Sequence, residues 1–248
     1  FYSSTKIWYS LQTAGWSELY QINTDGSDNI QISNGAAEGK EYNRTRFNRT
    51  HTRTLFCKTT PYWGPTSELF TADIDFTNQQ QVTSNGTTDY EFDVTTDGST
   101  IVWCEETPAL SGIFNIFVMN FDGTNQLQLT TYSSGNAFFP RWSPDGTQIL
   151  YSRYDGTQWD VYLINSDGTN NINITNTSEF NEMSMDWRSN FNIPLESVLI
   201  TKVVVGNGNP TSLYSMNTFG RNFKLIQTTP NSIGYARWSL DGNKVVFV

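Results

Sequence analysis

The sequence predicts an all-β fold of the propeller type, because alternating strands, turn signals and a fixed repeat occur together. Between Asn136 and Thr175 apolar residues alternate with polar ones, as at Ile149 and Tyr151, which is the period of a pleated strand. Asp-Gly pairs separate these runs. Asp bonds to its own backbone and Gly adopts positive φ without steric cost, so both favour tight turns. The stretch therefore predicts an antiparallel meander of four short strands.

The meander recurs along the whole chain. If its strands are called A to D in order, the central position of strand B recurs every 47 to 49 residues. The residues at this position are Tyr9, Phe56, Trp103, Tyr151, Ile200 and Phe247. A repeat of this length with four strands is typical of a propeller blade, and such blades pack face to face around a channel. The sequence therefore predicts a single β-propeller domain over residues 1–248.

Large rings in the repeat predict the blade core, because they would fill the widening wedge between neighbouring blades. The predicted core aromatics are Tyr9, Phe56, Trp103, Tyr151 and Phe247 in strand B, with Trp142, Trp187 and Trp238 in strand A. Aromatic residues make up 15% of the chain, beside a modest hydrophobic content of 37%. This composition predicts a folded chain rather than a disordered one.

The strand count predicts five blades, with six as the alternative. Strands A, C and D occur five times and strand B six times. The chain begins at strand B and ends after strands A and B, so we expect a closing blade that combines Tyr235–Ser239 with strands from Ser17–Ser33. Either Lys6–Ser10 or Lys244–Val248 would then be surplus. A surplus strand would fold over its own propeller or pair with another copy, which would give a self-assembling protein.

The repeat resembles that of a known family. The motif PRWSPDG at Pro140–Gly146 is followed by ILYS at Ile149–Ser152 and by a terminal Ile174-Thr175, and ARWSLDG at Ala236–Gly242 repeats its opening. This pattern is similar to the TolB-type WD40-like propeller repeat, over essentially the whole chain. The resemblance implies a propeller that binds another protein through loops at one end of its channel. Propellers of that family are typically six-bladed, and the same repeats occur in peptidase gating domains and in secreted proteins.

Composition and charge exclude several classes of protein. The net charge of −9 argues against a nucleic-acid partner, whose phosphates require basic patches. No apolar run approaches the roughly 20 residues of a membrane-spanning helix. Abundant Asn, Thr, Ser and Gln with little Lys is typical of secreted or periplasmic proteins, and we expect that location. The first residue is Phe rather than Met, which indicates a processed product or an excised piece.

One position of strand A carries a charged residue in each of its five copies. Its residues alternate in sign around the predicted ring and are Arg46, Asp93, Arg141, Asp186 and Arg237. We expect a structural ion-pair network lining the channel. With five blades Arg237 and Arg46 would be neighbours of like charge, whereas a sixth blade with an acid would complete the alternation.

Glycoside hydrolysis is the enzymatic alternative, because it needs two inward carboxylates. Glu91, Asp93 and Asp186 are the candidates. Catalysis needs one of the two protonated, and arginines at the same level would keep both ionised. A Ser-His-Asp triad would depend on His51, the single histidine, and no G-x-S-x-G motif is present. The sequence therefore predicts no enzymatic activity and no cofactor.

The remaining motifs favour structural roles. The repeated Asp-Gly-Ser/Thr-Asp/Asn motif is rich in oxygen ligands but lacks the later Glu of a calcium loop, so we expect hairpin turns and no metal. Cys57 and Cys104 occupy equivalent positions in neighbouring copies, which is poor geometry for a disulfide, and we expect two small buried side chains. Trp159 and Tyr154 are candidates for a binding face, although core packing is the more common use of aromatic residues.

Taken together, these patterns predict a non-enzymatic protein-binding or scaffold module. Its partner would be another protein or copies of itself. Two alternatives stay open. One is a propeller that binds or cleaves carbohydrate, and the other is a structural subunit of an extracellular assembly formed by strand exchange.

Overall fold

A computed structural model describes residues 6–13, 16–47, 52–59, 66–187, 198–204, 211–217, 219, 221–230, 233, 236–238 and 244–247. These residues are almost entirely β-strands and turns, with one short helix, α1, at Gly35–Glu38. Within this described part, no helix is long and apolar enough to cross a membrane.

The first two sheets are antiparallel meanders. The first contains three strands, β1 (Lys6–Thr13), β2 (Trp16–Asn23) and β3 (Ile30–Gln31). The second contains four strands, β4 (Glu41–Phe47), β5 (Arg53–Thr59), β6 (Ser67–Asp73) and β7 (Gln80–Gln81). In the register of these sheets, predicted aromatic positions of strands B and C face each other, as in Tyr9 opposite Tyr20 and Phe56 opposite Phe70.

Two further meanders follow. The third consists of β8 (Asp89–Val94), β9 (Thr100–Glu106), β10 (Phe114–Asn120) and β11 (Leu127–Gln128). The fourth consists of β12 (Asn136–Trp142), β13 (Gln148–Tyr154), β14 (Trp159–Asn165) and β15 (Ile172–Asn173). A single parallel bridge between Phe114 and Asn136 joins β10 to β12.

The last strands form a four-stranded and a two-stranded sheet. The former contains β16 (Phe180–Trp187), β17 (Val198–Val204), β18 (Thr211–Met216) and β19 (Lys224–Thr229). The latter contains β20 (Ala236–Trp238) and β21 (Val245–Phe247).

The strand inventory agrees with the repeat. Across the described ranges the 21 strands divide into five at A, six at B, five at C and five at D. The predicted closing blade does not appear among the described pairings, because β1 pairs with β2 and β21 pairs with β20. Both candidate surplus strands are therefore paired within their own sheets. The number of blades stays a prediction.

The chain divides into two compact units, one of residues 1–112 and 117–127 and the other of residues 113–116 and 128–248. Each unit has its own apolar clusters. In the first, Trp103 packs with Phe92 and Leu69, and Phe56 packs with Tyr42. In the second, Trp187 packs with Leu150 and Ile200.

The Asp-Gly motifs form hairpin turns between strands C and D, as predicted. In the copy that follows β14, the backbone N–H and the hydroxyl of Thr169 both donate to Asp167 Oδ1, at 2.9 and 2.6 Å. Gly168 and Asn170 have φ values of 85° and 52°. The left-handed region favours Gly and tolerates Asn, which explains why the motif places these residue types there.

A second repeated feature explains the Ser or Thr that follows strand D in the first four copies. Strand D has only two residues in the first four copies, so the backbone of strand C needs another partner. The Ser or Thr after strand D accepts a hydrogen bond from a strand C backbone N–H. The pairs, at 2.8 to 3.0 Å, are Ser33 with Leu19, Thr83 with Leu69, Thr130 with Ile116 and Thr175 with Val161.

Candidate binding surface

Two of the predicted opposite-charge pairs are present. Arg46 Nε lies 3.9 Å from Asp93 Oδ1 in the first unit. In the second unit Arg237 Nη1 donates to Asp186 Oδ1 at 3.1 Å, and the backbone N–H of Trp238 donates to Asp186 Oδ2 at 2.9 Å. Arg141 is buried, and its Nη1 donates to the carbonyl oxygen of Pro140. The continuous ring of five charges stays a prediction.

Glu91, a candidate for catalysis in the sequence, is bound by an arginine that sequence reasoning missed. Its carboxylate is buried and accepts from Arg44 Nε at 2.9 Å. The Arg44 guanidinium also lies 3.8 Å from the centre of the Tyr90 ring. Arg44 has a φ of 45°, in a register shift of β4 between Asn43 and Thr45. Such bulges redirect side chains, and their position is difficult to predict from a repeat.

An acidic pair in the first unit, made of one buried and one half-buried carboxylate, was also missed. Asp89 and Glu105 lie directly opposite each other on β8 and β9. Trp103 Nε1 donates to both carboxylates, at 3.2 Å to Asp89 and 3.3 Å to Glu105. Burial, with the nearby charges of Glu105 and Glu68, raises the pKa of Asp89 to about 8. Asp89 is fully buried, so although it is protonated at neutral pH it cannot touch a substrate. Aligning the two strands as a hairpin would have revealed this pair.

The second unit carries a group of half-buried aromatic side chains on neighbouring strands. We define the aromatic patch as Phe114, Phe138, Phe139, Tyr154 and Trp159. Phe114 and Trp159 are the first residues of β10 and β14, Tyr154 is the last residue of β13, and Phe138 and Phe139 lie near the middle of β12. Because β13 runs antiparallel to β12 and β14, its end lies beside their starts, and β10 runs parallel to β12.

The rings of the aromatic patch contact one another. The Tyr154 and Trp159 rings lie 5.2 Å apart, and these residues are cross-strand partners. Phe138 lies 4.7 Å from Phe114 and 6.1 Å from both Trp159 and Phe139. Phe139 has a φ of 57°, in the register shift of β12, so the bulge places two consecutive phenylalanines in the patch. The sequence identified Trp159 and Tyr154 as candidates but not the three phenylalanines.

Side-chain amides hold the strand ends that carry the patch. The backbone N–H of Phe114 donates to Asn136 Oδ1 at 3.1 Å, and that of Trp159 donates to Asn181 Oδ1 at 2.9 Å. The Gln158 amide donates to the carbonyl oxygen of Thr177 at 2.6 Å. These hydrogen bonds fix the starts of β10 and β14, and with them the positions of Phe114 and Trp159.

A polar cleft lies in the first unit. It has a volume of about 440 Å³ and is lined by Gln81, Val82, Thr83, Ser84, Asn85 and Gln126. The Gln126 amide donates to the carbonyl oxygen of Val82 at 3.1 Å. None of these lining residues is ionisable, so the cleft offers hydrogen bonds but neither a general acid nor a general base.

The predicted core aromatics are buried in most cases. Phe56, Trp103 and Tyr151 are fully buried, and Trp142 and Trp187 are 6% and 8% exposed. Tyr9 and Trp238 are half-buried. Phe247 is 37% exposed, so the structure does not place it in a core, because β21 has only β20 as a partner in the described part.

The remaining candidates are the two cysteines and the histidine. Cys57 and Cys104 are buried free thiols, in agreement with the prediction of small buried side chains. His51 lies outside the described residues. Among the residues that the structure does describe, no three His, Cys, Asp or Glu side chains are placed to hold a metal ion.

Comparison with known proteins identifies the fold. The sequence matches no protein-family model and no curated protein. A putative TolB from Agrobacterium tumefaciens is similar over 97% of this chain and 86% of its own, with a TM-score of 0.74 and 17% identity. TolB from Acinetobacter baumannii is similar over 97% of this chain, which spans 57% of that structure, with a TM-score of 0.72 and 13% identity.

An enzyme has the same architecture. Oligogalacturonate lyase from Vibrio parahaemolyticus is similar over 97% of this chain and 66% of its own, with a TM-score of 0.68 and 13% identity. At sequence identities this low, the similarity establishes the fold alone. The chain has the fold of a TolB-type β-propeller.

Proposed function

We propose that this protein is a secreted or periplasmic binding module that holds another protein against the aromatic patch. The observation that carries the proposal is the contact of five half-buried rings, two of which begin strands that asparagine side chains anchor. Aromatic residues dominate the central contacts of protein interfaces, because they bury a large area with little loss of conformational freedom. The resemblance to TolB-type repeats implies the same class of partner.

The polar groups beside the patch favour a protein over a carbohydrate. A sugar needs hydrogen-bonding groups for its hydroxyls next to the ring on which it stacks. Asp155 already accepts from the backbone N–H groups of Thr157 and Gln158, at 2.7 and 3.0 Å. The Gln158 amide is occupied by Thr177 and Asp160. Both of these polar side chains already hold hydrogen bonds, so the patch offers mainly apolar area.

The absence of enzymatic activity is also part of the proposal. Each carboxylate that the sequence offered for catalysis lies against an arginine: Glu91 against Arg44, Asp93 against Arg46 and Asp186 against Arg237. An arginine at this distance favours the ionised carboxylate, whereas glycoside hydrolysis needs one carboxyl group protonated.

Affinity capture with matched variants tests the proposal. The parent chain, Tyr154→Ala and Trp159→Ala would be immobilised and exposed to secreted and periplasmic extracts. Tyr20→Ala, which removes a half-buried tyrosine outside the patch, is the control. We expect the same protein on the parent and the control, and its loss from both patch variants. A glycan array on which the parent binds and Trp159→Ala does not would favour the carbohydrate alternative.

A further inference from the structure

The segment of the chain that carries the aromatic patch is strongly acidic. Residues 59–187 contain 17 of the 24 acidic residues but only two of the 15 basic ones, Arg141 and Arg153. Both arginines are buried, at 3% and 8% exposure. In the described part of this segment no cation is exposed, whereas Asp155 and Asp167 are. The charge that this segment presents to a partner is therefore negative.

The cations of the strands around the patch have acids of their own beside them. Arg153 stands opposite Asp160 in the pairing of β13 with β14, and its guanidinium lies 3.7 Å from the centre of the Tyr132 ring. In the following sheet, Lys202 Nζ lies 3.2 Å from Glu182 Oε1. Each of these two positive charges is thus matched within the second unit.

One exposed acid lies directly beside the patch. Asp155 belongs to the turn between β13 and β14 and follows Tyr154. Hydrogen bonds from Thr157 and Gln158 lower the pKa of its carboxyl group. The charge of Arg153 lowers this pKa further, to a smaller extent. Asp155 is therefore ionised at neutral pH, next to one of the rings.

A second exposed acid, Glu179, lies in the loop between β15 and β16. Two hydrogen bonds hold this loop against the start of β14. The Gln158 amide donates to the carbonyl oxygen of Thr177 at 2.6 Å, and the backbone N–H of Trp159 donates to Asn181 Oδ1 at 2.9 Å. Because Glu179 lies between these two contacts, its carboxylate is at the rim of the patch on the side of Trp159.

We infer that the aromatic patch takes a basic segment of its partner, in which arginine stands beside apolar residues. This inference rests on the protein-binding function proposed above and adds the chemistry of the partner. A guanidinium stacks on the face of a Trp or Tyr ring, as Trp159 and Tyr154 provide. Asp155 and Glu179 would attract its positive charge, and apolar neighbours in the segment would contact the remaining rings.

Designed peptides test the inference on the full chain. The probe is a fluorescein-labelled peptide of five Arg-Val repeats, followed by fluorescence polarisation. One control peptide replaces Arg with Lys, which keeps the charge but loses the planar group, and the other replaces Arg with Glu. We expect the arginine peptide to bind most tightly, the lysine peptide more weakly and the acidic peptide not at all. Binding should weaken as the salt concentration rises.

Matched protein variants locate the charge that is recognised. Asp155→Asn removes the charge and keeps an oxygen that accepts the hydrogen bonds of its turn. It should weaken binding of the arginine peptide about threefold, and about tenfold together with Glu179→Gln. Asp167→Asn, the same change in the turn at the other end of β14, should leave binding unchanged, and Trp159→Ala should abolish it. Circular dichroism checks that the variants fold.

Three results would overturn the inference. The arginine peptide does not bind at about 1 mM, or the acidic peptide binds as tightly, or Asp167→Asn weakens binding as much as Asp155→Asn, which would indicate unspecific attraction to an acidic protein. The affinity capture described above separates this inference from the proposed function. A captured protein that requires Trp159 but not Asp155 and Glu179 would refute the basic segment alone, whereas no capture that depends on Trp159 would refute the proposed function.

Discussion

At the scale of single residues, Phe76 shows how one copy of the repeat departs from its pattern. It stands where three other copies have Gly26, Gly123 and Gly168, and it keeps their conformation with a φ of 67°. A left-handed conformation costs a residue other than Gly about 1–2 kcal/mol. The ring offsets that cost, because it is 8% exposed and lies 4.7 Å from the ring of Phe56.

Two substitutions at Phe76 separate the effect of backbone strain on stability from the effect of burying the ring. Phe76→Ala keeps the left-handed conformation and loses the ring, so the free energy of unfolding should fall by about 3–4 kcal/mol. Phe76→Gly loses the ring but removes the strain, and should be about 1 kcal/mol more stable than the alanine variant. Urea denaturation measures both. If the glycine variant is no more stable than the alanine variant, the strain at this position is negligible.

The buried Asp89 predicts a dependence of stability on pH. In the unfolded chain its carboxyl group ionises near 3.8, whereas in the folded protein its pKa is about 8. Its contribution to stability is therefore complete below pH 3.8 and is lost as the pH rises toward 8. Asp89→Asn removes this loss, because the amide oxygen still accepts from Trp103.

We expect Asp89→Asn to unfold at a higher temperature than the parent at pH 8, and the difference to shrink toward pH 4. Differential scanning calorimetry across this range measures it. Asp167→Asn is the control, since hydrogen bonds from Thr169 lower the pKa of Asp167. That substitution should not stabilise the protein at pH 8. A melting difference for Asp89→Asn that does not change with pH would contradict the proposed protonation.

At the scale of elements, the side-chain hydroxyl of the Ser or Thr after strand D accepts a backbone hydrogen bond from strand C that the two-residue strand D leaves unmade. Thr130 is 3% exposed, accepts from the backbone N–H of Ile116 at 2.9 Å and donates to Asn115 Oδ1 at 2.9 Å. Thr130→Val has nearly the same shape but leaves a buried N–H without its partner, which costs about 1–3 kcal/mol. Thr130→Ser keeps the hydroxyl and should cost less than about 1 kcal/mol.

Chemical denaturation compares the two Thr130 variants, and amide hydrogen exchange at Ile116 reports the local effect. We expect exchange to accelerate in the valine variant and to stay slow in the serine variant. Equal protection of Ile116 in both would show that the hydroxyl does not support strand C.

The two ion pairs of strand A should differ in how much they stabilise the fold. Asp186 accepts from both Arg237 and the backbone of Trp238, whereas Asp93 lies 3.9 Å from Arg46 in a partly exposed pair. Asp186→Ala should therefore destabilise by about 1–3 kcal/mol and Asp93→Ala by less than about 1 kcal/mol. Thermal unfolding measures both. A polysaccharide-cleaving activity that vanished in either variant at unchanged melting temperature would reverse the structural interpretation.

At the scale of the whole molecule, the repeat predicted the strands better than their partners. Alternating apolar residues and Asp-Gly turns are local, so the order of strands from β1 to β21 could be predicted from the sequence. Closure of the ring depends on which distant strands meet, and the repeat carries no signal for it. The exposed Phe247 illustrates the difference, because its position in the repeat is that of a core residue.

The candidate binding surface could be predicted only in part, and the reason is related. Trp159 and Tyr154 stand out in the fourth copy, and the Arg-Asp alternation is visible in one strand position. Phe139 reaches the patch, and Arg44 reaches Glu91, only through bulges in strand A. The position of a bulge depends on packing between strands, which a single sequence does not reveal.

Site-specific photocrosslinking tests most directly whether the aromatic patch binds a protein. Benzoylphenylalanine would replace Thr157, in the exposed turn between Tyr154 and Trp159, and Thr169, in the turn at the other end of β14. Both threonines bond to the aspartate of their turn, so the two substitutions are matched. In secreted and periplasmic extracts we expect one protein to crosslink at position 157, none at position 169, and the product to vanish with Trp159→Ala. Equal crosslinking at both positions, or a product at position 157 that survives Trp159→Ala, would contradict the proposal.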